Sequence, residues 1–129
     1  MVIVAEKEKF LGEFEQTTML ALIHLGSNAY GAAIRQLLHQ QIDRNVAIGA
    51  IYSTLERLEK KGMVTSQLGE ATAERGGRPK RFFEVTPQGQ IALKRARNAM
   101  NTLWQDITIK SMLDAFTVDF ANRVIFKGA

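Results

Sequence analysis

The residues with the strongest chemical character lie in one short run, RGGRPKRFFEVT, at positions 75–86. Arg75, Arg78, Lys80 and Arg81 sit among two glycines and Pro79, and no carboxylate intervenes before Glu84. Guanidinium and ammonium groups at this density suit phosphate oxygens, which an arginine can grip with two parallel hydrogen bonds. Taken alone, the run is equally well a solvated hairpin turn that happens to be basic.

A second group falls on one face of the segment 47–61: Gly49, Ala50, Tyr52, Ser53, Glu56 and Arg57. Tyr52 and Ser53 offer hydroxyl donors, and Gly49 and Ala50 allow close backbone approach. Ala50 and the Tyr52 ring could touch a thymine methyl. Asn, Gln and Arg, the strong readers of base edges, are sparse on this face.

Chemistry of other kinds finds no support. No phosphate loop, nucleophile elbow or paired acid–histidine arrangement occurs, and Ser53 has no base near it in sequence. His24 and His39 lie fifteen positions apart in a chain without cysteine, which speaks against a metal site. His24 falls within an apolar helical pattern and reads as a packed residue. The expectation is a non-enzyme with no cofactor and no metal.

The elements that must position the basic run and the polar face follow from periodicity. Phe10, Phe14, Met19, Leu22 and Ile23 recur at helical intervals over about 8–25, with Gly26 where a C-cap would fall. A second helix is expected over 30–41, carrying Ile34, Leu37 and Leu38 on one face. The third, over 47–61, has the clearest stripe: Ile48, Ile51, Leu55 and Leu58, closed by Gly62. Val64, Ser66 and Leu68 then alternate as a strand does, and KRFFEVT supplies a second strand with Phe83 and Val85 inward and Phe82 outward. The segment 70–79 between them reads as an extended hairpin tip. After Pro87, a fourth helix steps through Leu93, Ala96, Met100, Leu103 and Ile107 like a packing seam. A helix continues or restarts in the apolar stretch that follows.

Three helices and a β-hairpin form the winged helix-turn-helix. The expected fold is therefore mainly α with a small hairpin. Residues 1–86 make a DNA-binding domain with an N-terminal helix, and 87–129 a C-terminal helical dimerisation segment. At 129 residues the chain has room for one compact domain. A leftover amphipathic helix then points to burial against a second copy. The balance of 17 Lys and Arg against 13 Asp and Glu gives a net charge of +4, a mild lean toward an anionic partner. The absence of cysteine fits a reducing compartment such as the cytoplasm. No apolar run approaches the roughly 20 residues needed to span a bilayer.

The stretches YGAAIRQLL, NVAIGAIYSTLERLEKKGMVTS and GRPKRFFEVTPQGQIAL resemble the PadR-like family of winged-helix transcriptional regulators. The Tyr-Gly that opens the second helix is matched by Tyr30 and Gly31. The third-helix pattern is matched by Gly49, Ile51, Tyr52, Leu55, Leu58 and Gly62. The run that ends the wing is matched by Gly77, Arg78, Pro79, Arg81, Phe82, Phe83, Thr86 and Gly89. The resemblance covers about residues 17–93.

The resemblance implies a homodimeric repressor that binds double-stranded DNA at a roughly palindromic operator. Its DNA-binding residues would be Tyr30, Gly49, Ala50, Tyr52, Ser53, Arg57, Arg75, Arg78, Lys80 and Arg81. Dimerisation would use Leu93, Ala96, Met100, Leu103 and Ile107. Members of the family can respond to small aromatic or cationic effectors near the dimer interface, where Trp104 and Met100 are the candidates. The plainer reading of Trp104 is a side chain that simply fills that interface. The sequence departs from the family where Ala47 replaces a capping Ser or Thr, with Asn45 the nearest substitute. It departs again at Ser53, and at Glu70 and Glu74, which set acids beside the basic wing. A protein-interaction module built on the same fold is the alternative reading.

Overall fold

The structure is a computed structural model and describes residues 10–70 and 79–117. The element order is α1 (Glu13–Leu25), a 3-10 turn (Gly26–Asn28), α2 (Gly31–Ile42), α3 (Ile48–Lys60), β1 (Val64–Leu68), β2 (Arg81–Val85) and α4 (Pro87–Trp104). Residues 109–117 are again helical. The chain divides into two compact units after Ala96.

α1 begins at Glu13, five residues later than the spacing of Phe10 and Phe14 suggests. Gly12 takes the N-cap, and Glu15 reaches back to accept a hydrogen bond from the Gly12 N–H at 2.9 Å. Glu13 and Glu15 place negative charge in the first turn, where the helix dipole favours it. Phe10 therefore lies outside the helix, exposed, with the Arg95 guanidinium 5.4 Å from its ring centroid. Met19 and Leu22 are buried as the pattern predicts, but Ile23 is exposed. His24 is exposed too, so it is not the packed residue that its apolar neighbours suggested. Gly26 closes the helix with φ 59°, a conformation that suits glycine, and its N–H donates to the Leu22 carbonyl.

α2 and α3 pack across α1 around one core. Met19, Ile34, Ile51, Leu55, Leu58 and Val64 are its largest fully buried apolar side chains, joined by Phe83 and Val85 from β2. Ile51, Leu55 and Leu58 are the inner part of the α3 stripe, while Ile48 at its start is partly open. Ala47 is the α3 N-cap and contributes no side-chain hydrogen bond.

β1 and β2 pair antiparallel with Val64 opposite Val85, Ser66 opposite Phe83 and Leu68 opposite Arg81. This register turns Val64, Phe83 and Val85 to the core and Phe82 to the outer face, as strand alternation requires. The hairpin is tied to the helices through the backbone: the Phe83 N–H donates to the Ala29 carbonyl, and the Thr86 N–H to the Met63 carbonyl. Thr86 also caps α4, accepting from the Gly89 N–H at 3.0 Å while its hydroxyl donates to the Gly62 carbonyl. Pro87 follows at the first helical position, where its missing N–H costs nothing.

α4 ends at Trp104, so Ile107 lies beyond it and does not continue the expected seam. Asp106 adopts φ 64°, and the Ile107 N–H bonds back to the Trp104 carbonyl. Thr108 and Ser111 then cap the next helix reciprocally, each backbone N–H donating to the other's hydroxyl. The helix thus restarts rather than continues.

Candidate nucleic-acid interface

α3 presents two different sides. Ile51, Leu55 and Leu58 are sealed in the core, whereas Gly49, Ala50, Tyr52, Ser53, Glu56 and Arg57 all face solvent. A methyl group added at Gly49 would meet nothing within 4 Å, so the first turn is open to close approach. Tyr52 is held in place despite its exposure. Its ring lies over Gly31, where any Cβ would collide with it, and tilts against Phe83 with centroids 6.4 Å apart. The Tyr-Gly pair at the start of α2 therefore has a packing cause: only glycine leaves room for the Tyr52 ring.

Arg57 is drawn back toward the body of the protein. Its Nε lies 3.5 Å from Glu15 Oε2, and Lys61 donates to the same oxygen at 2.8 Å. Burial alone would raise the Glu15 pKa, but the hydrogen bonds from Lys61 and the Gly12 N–H, with Arg57 beside them, hold it below the usual carboxylate value. One buried carboxylate thus joins the start of α1 to the end of α3.

On the hairpin, Lys80 and Arg81 are consecutive and so point to opposite faces. Lys80 places its ammonium 4.0 Å from the centroid of the Tyr30 ring, a cation–π contact. Phe82 meets the same ring edge-on at 5.7 Å. Gly69 lies beneath Phe82, where an added Cβ would stand 2.5 Å from the ring, and its N–H extends the ladder to the Lys80 carbonyl at 2.7 Å. On the other face, Arg81 Nη1 donates to the Ser66 hydroxyl at 3.0 Å, and that hydroxyl donates to Glu59 Oε2 at 2.8 Å. Glu59 and Ser66 carry no signal in the sequence beyond a polar residue at an inward strand position. Arg75 and Arg78, with Glu74, lie outside the described residues.

The residues singled out on α4 divide by position. Leu93 packs against the core and Ala96 is buried, whereas Met100, Leu103 and Trp104 are exposed. Ile107, past the end of the helix, is also exposed. An open cleft of about 540 Å³ lies on the outer face of the hairpin, bounded by Leu22, Ile23, Ser27, Gln67, Phe82 and Gln90. Trp104 and Met100 are not among its lining residues. Among the described residues, no cluster of three or more His, Cys, Asp or Glu side chains could hold a metal ion. No helix among them is long and apolar enough to cross a membrane.

The three helices, the hairpin and the open outer face of α3 define a winged helix-turn-helix of the DNA-binding regulator class. Comparison with known proteins narrows the class. The family model of the transcriptional regulator PadR-like family matches residues 19–95. The transcriptional regulator Rv3488 of Mycobacterium tuberculosis is 31% identical over 98 residues, covering 74% of this chain and 87% of that protein. Among solved structures, a PadR-like transcription factor from Bacteroides fragilis superposes with a TM-score of 0.59 at 25% identity, covering 70% of this chain and 82% of the other. A transcriptional regulator from Clostridium thermocellum shares the fold at a TM-score of 0.59 and 24% identity, over 72% and 87% of the two chains. The chain belongs to the PadR-like family of transcriptional regulators.

Proposed function

We propose that this regulator is a homodimeric repressor that places α3 in the major groove of a roughly palindromic operator. The observation that carries the reading is the pairing of an open, small-residue first turn on α3 with two held cations at the loop end of the hairpin ladder. Gly49 and Ala50 let the helix backbone approach the base edges, and Tyr52 and Ser53 supply donors. Lys80 and Arg81, together with Arg75 and Arg78, contact the phosphate backbone or the minor groove beside it. Arg57, tethered to Glu15, contributes from the far end of the helix.

Exposed Met100, Leu103 and Trp104 on α4, with Ile109, Met112, Leu113 and Phe116 beyond it, support a dimer that covers them. Two α3 helices then address half-sites one helical turn or a multiple apart. A small aromatic or cationic effector held near Trp104 and Met100 would relieve repression by binding one tilt of the dimer better than another.

A gel-shift titration against the chain's own promoter region, repeated over a salt series, tests the reading. Each phosphate neutralised should contribute about −0.9 to the slope of log K against log salt. The double variant Arg78→Ala/Arg81→Ala should weaken binding to all sequences alike and flatten that slope. No binding at low salt, or binding indifferent to salt, would instead favour a protein-interaction module.

A further inference from the structure

We propose that Ser66 is a positioning residue for DNA binding, its hydroxyl held by Glu59 so that it aims the Arg81 guanidinium at the phosphate backbone. The inference rests on the DNA-binding reading given above and adds two residues from outside the expected contact set.

Ser66 stands on β1 between buried Val64 and exposed Leu68, directly opposite buried Phe83. Val64 and Phe83 beside it are apolar, yet this position carries a hydroxyl. A serine hydroxyl has one proton to give and two lone pairs to offer. Here the proton goes to Glu59 Oε2 at 2.8 Å, which turns the lone pairs toward Arg81 Nη1 at 3.0 Å. The carboxylate thereby fixes the sense of the relay: Arg81 donates to Ser66, and Ser66 donates to Glu59.

Three elements meet in this chain of contacts. Glu59 lies on the last turn of α3, Ser66 on β1, and Arg81 at the start of β2. An arginine on a free surface samples many rotamers, and ordering it on binding carries an entropic cost. Anchoring one of its five N–H groups to Ser66 reduces that cost and leaves the others for a phosphate. The anchor also sets the guanidinium relative to α3, the element that reads the groove. Lys80 is fixed on the opposite face by Tyr30, so its contribution is independent of Ser66.

The test uses the full chain and a duplex of its own promoter region, comparing wild type, Ser66→Ala, Ser66→Thr, Arg81→Ala and the double variant Ser66→Ala/Arg81→Ala. Ser66→Ala should weaken binding about two- to five-fold, the range expected for loss of an exposed charged contact. The salt slope should not change, because no charge is removed. Ser66→Thr should restore affinity, and the double variant should bind no more weakly than Arg81→Ala alone. Ser66→Ala binding as tightly as wild type would overturn the proposal, as would an equal loss in the Arg81→Ala background. Wild type that fails to bind at low salt would overturn the DNA-binding reading itself, and this proposal with it.

Discussion

The two halves of α4 carry comparable numbers of apolar residues and use them differently. Before Arg97 the inward side is built mostly from small residues, with Leu93 packed beside them. Gly89 is buried so closely that an added Cβ would collide with the Met63 carbonyl and press on Val85 and Met19, and Ala96 is buried as well. From Met100 onward the apolar residues are large and open, with Leu103 70% and Trp104 51% exposed. Small residues mark where the helix seats on its own chain, and bulky ones mark the surface it offers outward. The difference separates intrachain packing from a candidate contact between copies, two roles that a single heptad pattern merges.

Substitutions at the seat should have the largest effect. Alanine is intrinsically the better helix former by roughly 0.5–1 kcal/mol. Gly89→Ala should nonetheless lower stability by about 1–3 kcal/mol in urea unfolding, because the Met63 carbonyl is backbone and cannot swing aside. A stabilised Gly89→Ala chain would break the contrast. At the open half, Leu103→Ala should raise the dimer dissociation constant about ten-fold in sedimentation equilibrium, as loss of a buried leucine side chain predicts. The unfolding curve of the dilute, monomeric chain should stay where it was.

The same contrast between sealed and open positions can be sharpened on α1. Glu15 is nearly sealed under Lys61 and Arg57, whereas Glu13, paired with Arg44 at 2.8 Å, is mostly exposed. Glu15→Gln should cost about 1 kcal/mol at neutral pH, the worth of a typical hydrogen bond. Because the folded-state pKa of Glu15 lies below its ordinary value of 4.5, its stabilisation is complete above that value and is lost as pH falls through the folded one. The wild-type melting temperature should therefore drop more steeply than that of Glu15→Gln on acidification below about 4.5. The smallest effect is expected from Glu13→Gln, which should leave the melting temperature at neutral pH unchanged, since solvent screens its ion pair.

Much of this arrangement was legible in the residues. The Ile51, Leu55, Leu58 stripe and the alternation ending in Phe83 and Val85 carry their own periods, so α3 and the hairpin follow from local pattern. The ends of elements follow it less well. Phe10 continues the spacing of α1, yet Gly12 takes the cap and starts the helix at Glu13. α4 stops at Trp104 without a glycine or proline, through the left-handed turn at Asp106 and the Thr108–Ser111 cap. The outward face of α3 could be read from the helical period. The tethers that orient its neighbours could not, because Glu15 meets Lys61, and Glu59 and Ser66 meet Arg81, only once the fold brings them together.

The alternation of β2 also assigns an address to each cation. Phe83 and Val85 must face inward, so the residue two before Phe83 shares their side and the one before that lies across from it. Arginine therefore falls beside Ser66 and lysine over Tyr30 by parity alone. Residues inserted ahead of Lys80 would lengthen the wing and leave both addresses intact. A single residue inserted between Arg81 and Phe82 would swap them, delivering arginine to the outer face while the hydrophobic core went on closing as before.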